Sequence, residues 1–224
     1  MANHEKPPEP LAPLSAQDFA RIMPVSRETM GRLESYSQLL HKWQKTINLV
    51  SRDSLADLWR RHVLDSAQLA ELIPADRPIT ILDMGSGAGF PGLILAILAL
   101  EQGRDWTVQL VESDSRKAAF LATVARETGI HTVIHNKRIE NLDAIQADVI
   151  TARALASIDN LIGYAVRFLA PDGQCLWLKG LGAEDELTAA NKTWKMAVAR
   201  IPSRSGSTGV ILRIRDISRV RSDR

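Results

Sequence analysis

Four glycines in eight residues, in Asp83-Met84-Gly85-Ser86-Gly87-Ala88-Gly89-Phe90-Pro91-Gly92, constrain this chain more than any other feature. The segment follows the strand-like run Ile79 to Asp83 and precedes the apolar, helix-like run Pro91 to Leu100, with Pro91 suited to a helix's first turn. Glycines so clustered let the backbone turn tightly and approach a ligand where a Cβ would stand in the way. In an open α/β sheet that loop lies at the carboxyl end of a strand, where ligands bind.

The rest of the chain agrees. Strand-like segments at Thr107 to Val111, His131 to His135, Ala147 to Thr151 and Gln174 to Leu178 alternate with helix-like segments at Ser115 to Thr128, Ser157 to Leu169 and Ala183 to Met196. Gly129 is placed as a C-cap, and Pro171-Asp172-Gly173 closes the helix before it. Such alternation predicts a Rossmann-like α/β fold: a mostly parallel twisted sheet with helices on both faces. Val198 to Ile201 and Val210 to Ile214, around a Ser/Gly-rich turn, predict a closing antiparallel hairpin. Upstream, helices are expected to start at Ser15, Ser26 and Asp53, the second carrying Met30, Leu33, Tyr36, Leu39, Leu40 and Trp43 at spacings of three and four. The expected organisation is a flexible tail over 1–13, a helical region over 14–75, the α/β core over 76–216 and a basic tail over 217–224.

Composition narrows the setting. At 224 residues, one domain with an extra segment is expected. The single cysteine, Cys175, cannot form an internal disulfide and sits in an apolar run, so it reads as a small buried hydrophobe in a reducing, cytoplasmic compartment. The longest apolar stretch, Leu93 to Leu100, is too short to cross a bilayer. His131 and His135 fall on a predicted strand and do not share metal-ligand geometry, so no metal is expected. The five tryptophans read as packing residues. Nothing calls for an obligate oligomer, and a monomer is expected. A net charge of +2 permits a nucleic-acid partner without demanding one. Yet nine Lys/Arg against two acids between Lys192 and Arg224, together with Arg52, Arg60, Arg61 and His62, lean toward RNA.

The loop alone leaves its ligand open, because Gly87, Gly89 and Gly92 also satisfy the dinucleotide pattern G-x-G-x-x-G. Asp83, two residues before the first glycine, makes an Asp-x-Gly-x-Gly arrangement that resembles motif I of class I methyltransferases and favours S-adenosylmethionine. Glu112, ending the second strand, can accept hydrogen bonds from both hydroxyls of a ribose. After the third strand, Ile139 is placed to pack on an adenine ring and Glu140 or the adjacent backbone to bond its edge. Arg153, ending the fourth strand, faces the same crevice.

Asp83 to Gly92, Arg61-His62-Val63-Leu64-Asp65-Ser66, Thr151-Ala152-Arg153-Ala154 and Leu178-Lys179-Gly180 occur in the order seen in the RsmG family, also called glucose-inhibited division protein B, which the chain resembles from about Tyr36 to Ile214. That resemblance implies an enzyme methylating N7 of one guanine of 16S ribosomal RNA, in the decoding region of the small ribosomal subunit. It implies Gly85, Phe90, Ile139, Glu140 and Arg153 as cofactor contacts, beside Asp83, Gly87, Gly89 and Glu112 from the loop and strand ends. Arg153 and Lys179 are the candidates for work at the reacting base, and Arg60, Arg61, His62 and Lys179 for RNA contact. Guanine N7 carries an unprotonated lone pair at neutral pH, so the lack of an evident general base fits. Two other readings use the same loop: a nicotinamide-dependent oxidoreductase, and a non-catalytic ribosomal RNA-binding assembly factor.

Overall fold

The computed structural model describes residues 12–220. Most of the expected N-terminal tail, and the last four residues of the expected basic tail, lie outside them. Strands β1 (Ile79–Met84), β2 (Trp106–Val111), β3 (Thr132–His135), β4 (Ala147–Arg153), β5 (Leu169–Lys179), β6 (Trp194–Pro202) and β7 (Val210–Arg219) form one sheet in the order β3-β2-β1-β4-β5-β7-β6. The first five run parallel, and β7 and β6 close the sheet antiparallel. From β1 the chain winds outward to β3, then returns to β4 on the other side of β1. The switch point therefore falls between β1 and β4, where a crevice opens at the strands' carboxyl ends.

Helices α1 (Ala16–Ile22), α2 (Arg27–Trp43), α5 (Gly92–Glu101) and α6 (Ser115–Thr128) share one apolar core with the sheet, while α7 (Ile158–Ala165) and α8 (Ala183–Ala190) pack into a second. The caps follow from the sequence. Ser15 and Asp18 form a reciprocal capping box, Ser26 accepts from the Thr29 amide, and Gly129 ends α6 at a φ of 67°. Tyr36, Leu33 and Leu40 of α2 are buried together with Phe90 and Phe120 of the α/β unit. The Arg32 guanidinium caps α6 through the Thr128 carbonyl at 3.0 Å. The N-terminal helices thus complete the core rather than sit apart from it.

Several boundaries differ from expectation. The third helical region is capped by Ser51, not Asp53: Ser51 Oγ accepts from the Ser54 amide and the helix α3 (Arg52–Leu55) lasts one turn. It resumes as a π-helical turn, Trp59–Leu64, then α4 (Asp65–Ala67) and a 3-10 turn, Gln68–Leu72. The wide π turn is a feature often found at functional sites. Helix α8 stops at Ala190 because Trp194 is taken into β6, where Arg219 lies over its ring at 5.2 Å and its Nε1 donates to Asp159. For the same reason 217–219 are strand, not tail. Helix α7 ends at Ala165, and Pro171-Asp172-Gly173 lies inside the long strand β5. Cys175 is fully buried, and desolvation pushes its thiol far above the usual range, consistent with a packing role.

Candidate active site

Asp83 and Thr151 face each other in register across β1 and β4 at the switch point. The Thr151 hydroxyl donates to Asp83 Oδ1 at 2.7 Å. Asp83 is wholly buried, and desolvation raises its carboxyl to about 6 despite the bond from Thr151 and the opposing pull of the nearby Ser86 hydroxyl, Gly92 amide and Arg153 charge; Ser86 Oγ itself donates to the Asp83 backbone carbonyl at 3.0 Å. Its Oδ2 completes no hydrogen bond. Beyond it the loop turns through left-handed glycines, with φ of 65° at Gly85, 56° at Gly87 and 95° at Gly89. A Cβ on Gly85 would meet Leu155 Cδ1 at 2.5 Å.

The loop forms one wall of a cleft of about 460 Å³, within the range of small-ligand sites. Gly85, Gly87, Phe90, Glu112, Ile139, Glu140 and Arg153, all named from the sequence, line it. Two of the expected contacts do not. Asp83 lies behind the loop and acts on the cleft only through its charge, and Gly89 is turned inward, where a Cβ would strike Leu93 and the Tyr36 hydroxyl. The Glu112 carboxylate ties the site together, accepting from the Gly87 amide at 2.8 Å and the Asp114 amide at 2.8 Å. A carboxylate has about four acceptor lobes, so two remain for a ribose edge. Glu140 accepts from the Tyr164 hydroxyl at 3.0 Å, and Tyr164 itself lines the cleft.

Phe90 anchors an aromatic stack. Tyr36 lies on it at 5.1 Å between ring centroids, His62 at 4.8 Å, and the Arg153 guanidinium stands 5.1 Å over its ring. The Tyr36 hydroxyl donates to the Ala88 carbonyl of the loop. Removing that donor in Tyr36→Phe leaves a buried carbonyl unpaired and should cost about 1–3 kcal/mol, read as a loss in denaturant unfolding with cofactor affinity falling in parallel. Tyr36, acting through the Ala88 carbonyl and the Phe90 ring, and Leu49, which lines the cleft, both come from the helical region and were not named from the sequence as functional. The α2 periodicity marked Tyr36 as core, and nothing local showed which core.

Arg153 and Ala154 to Ala156 are shared with a second, larger cleft of about 790 Å³ that also takes in Arg61, His62, Asp65, Lys179 and the β6–β7 turn. Ala154 adopts a φ of 52°, a strained setting for a residue with a Cβ, at this junction. Arg153 donates to the Arg61 carbonyl at 3.1 Å. Lys179 is held by Glu186 at 2.6 Å and the Ala156 carbonyl at 2.9 Å, which leaves one of its three donors for the cleft. His62 is 4% exposed, and burial with the nearby Arg153 and Arg61 charges depresses it to about 3, so it stays neutral. It lies in the cleft wall, not on a surface that an RNA backbone could reach. Arg60 reaches neither cleft: it pairs with Asp57 at 3.3 Å and donates to the Ala12 carbonyl at 2.7 Å, so its cation is spent on the N-terminal segment. Among the described residues no cluster of metal-binding side chains occurs, and no helix is long and apolar enough to cross a membrane.

A switch-point crevice, a left-handed glycine loop after β1, an acid at the end of β2 and an antiparallel closing pair of strands define a class I S-adenosylmethionine-dependent methyltransferase fold. A TehB-like SAM-dependent methyltransferase from Corynebacterium glutamicum shares it, with a TM-score of 0.52 at 17% identity over 83% of this chain and 98% of that one. Residues 29–208 match the GidB family, rRNA small subunit methyltransferase G, and the chain belongs to that family. The chain is 52% identical to the ribosomal RNA small subunit methyltransferase G of Paramagnetospirillum magneticum, over 88% of this chain and 94% of that protein. It is 48% identical to the protein of the same name from Rhodospirillum centenum, over 93% and 94%. The cleft fits the cofactor: its glycine wall has no room for a Cβ at Gly85, Glu112 keeps lone pairs for a ribose, and Ile139 offers an apolar surface.

Proposed function

We propose that this protein transfers a methyl group from S-adenosylmethionine to N7 of a guanine in 16S ribosomal RNA, alone or within the small ribosomal subunit, in the cytoplasm. The observation that carries this reading is the meeting of the two clefts at Arg153 to Ala156, one fitted to the cofactor and the other lined by cations. Bound there, the cofactor supplies an electrophilic methyl on a positive sulphur. The protein's part is placement: a guanine held in line with that methyl needs no base, because N7 already presents its lone pair. The target base leaves its stack to enter the second cleft. Arg153, fixed over Phe90 and by the Arg61 carbonyl, bonds the O6 side of the base, and Arg61 and Lys179 meet the flanking phosphates.

Labelled S-adenosylmethionine incubated with small-subunit RNA and particles, followed by nucleoside analysis, tests this. Label in 7-methylguanosine is expected, and Arg153→Ala should lower kcat/KM by roughly 100-fold or more, the scale for a lost charged contact. Cofactor binding with no label in any RNA would overturn the substrate. Ribosome binding that ignores the cofactor would favour a non-catalytic assembly factor, and tight NADH binding the oxidoreductase reading.

A further inference from the structure

Asp65, the first residue of α4, occupies an unusual position in the second cleft. Its Oδ1 collects three donors: Gln68 Nε2 at 3.0 Å, Ser203 Oγ at 2.8 Å and Ser205 Oγ at 2.7 Å. The last two belong to the β6–β7 turn, which is also held by the Arg204 amide on Gln68 Oε1 at 2.9 Å and by the paired contacts of Arg204 with Glu71. Oδ1 is therefore saturated and its carboxylate is fixed in rotation. Oδ2 takes no hydrogen bond among the described residues and is not one of the sealed, unpartnered atoms, so it opens on the cleft that Asp65 lines.

Across the same cleft stands Arg153. Asp65 is near enough to favour the charged form of Arg153, yet the two form no ion pair. Beside them His62, nine-tenths buried in the wall, has both ring nitrogens without a partner. An anion and a cation that form no ion pair, with an unpaired polar ring lining the same cleft, suit a polar ligand that bridges the two charges. Guanine does so: O6 is an acceptor suited to the cation, and N1–H and the N2 amine are adjacent donors suited to the anion. Adenine presents the reverse order, a donor at its 6-position and an acceptor at N1.

We propose that Asp65 is the residue that selects guanine, its Oδ2 accepting from N1–H and the N2 amine while Arg153 holds O6. This rests on the guanine reading above. The contact also aids the reaction. As the new N–C bond forms at N7, the lone pair of N7 becomes that bond, the C–S pair returns to sulphur, and the positive charge passes to the purine. N1–H and N2–H then become stronger donors, so the bonds to a fixed carboxylate tighten in the transition state. Asp65 contributes to kcat, not only to KM.

The test compares target RNA carrying guanine with the same RNA carrying inosine, which keeps N7, O6 and N1–H but lacks the amine. Wild-type kcat should fall about tenfold or more on inosine, the scale of one hydrogen bond to a charged acceptor. In Asp65→Asn the amide oxygen keeps the three donors from Gln68, Ser203 and Ser205, and the amide nitrogen turns its own donors on the base. That variant should keep its melting temperature and cofactor affinity, lose about 100-fold or more on guanine, and treat guanine and inosine within about twofold of each other. Equal use of guanine and inosine by the wild type overturns the inference and leaves the function standing. A wild-type preference retained in Asp65→Asn also overturns it. If the variant does not fold, the wild-type comparison decides alone. No label in any guanine overturns both this inference and the reading beneath it.

Discussion

Gly85→Arg should abolish S-adenosylmethionine binding while leaving the fold in place. Two physical costs combine. The residue sits at a φ of 65°, where an L side chain is strained by roughly 1–2 kcal/mol. Its Cβ would also lie 2.5 Å from Leu155 Cδ1. Leu155 is 39% exposed and can swing aside, so the clash alone does not unfold the protein. The arginine chain then runs into the cleft itself, across the wall shared by Gly87 and Glu112. Affinity should fall at least ~100-fold, about 3 kcal/mol, by calorimetric titration. Gly85→Ala separates the terms: its strain is the same with and without cofactor and so lowers unfolding stability by roughly 1–2 kcal/mol, while with Leu155 free to move the affinity should fall by less than about tenfold. An unchanged dissociation constant in Gly85→Arg would place the cofactor elsewhere.

The fold was largely legible from the chain because its strongest signals are local. A glycine run between β1 and α5, capping residues such as Ser15, Ser26 and Gly129, and regular alternation of short strands and helices are read within a few residues of where they act. Signals failed where a distant contact decides. Helix α8 was expected to run to Met196, but Trp194 packs under Arg219 and bonds Asp159, far off in sequence. The π turn at Trp59–Leu64 has no compositional mark. The same division runs through the site. Gly85, Gly87 and Glu112 are marked by position at strand ends. Leu49 and the stack of Tyr36 and His62 on Phe90 exist only once the helical region docks on the sheet, and Tyr164 reaches the cleft only once α7 packs beside Glu140. Arg60 shows the converse error: a basic residue in a basic run is no guide to where its guanidinium turns.

Asp83→Asn should stabilise the protein in the absence of cofactor, and the gain should depend on pH. In the fold the Asp83 carboxyl is raised to about 6 from its ordinary 3.8, chiefly by burial. A raised acid favours the folded state in its neutral form. That contribution is complete below about pH 4, where the carboxyl is protonated in both states, and is lost as pH rises through about 6. The wild type therefore carries a penalty of roughly 3 kcal/mol at neutral pH. Asparagine is isosteric and neutral at every pH and its Oδ1 still accepts from Thr151, but its Nδ2, at the unpartnered Oδ2 position beside Gly92, finds no acceptor, a pH-independent cost of about 1–3 kcal/mol that offsets part of the gain. Denaturant unfolding from pH 4 to 8 should show the difference between the two proteins moving by about 3 kcal/mol in the variant's favour between the acid end and pH above 6. A constant difference across that range would show that Asp83 ionises in the fold as it does in the unfolded chain. The wild type tolerates the penalty because a buried negative charge behind the glycine loop attracts the positive cofactor. Accordingly Asp83→Asn should bind S-adenosylmethionine about tenfold more weakly while standing up better to denaturant, the trade expected where a site is built from destabilising parts.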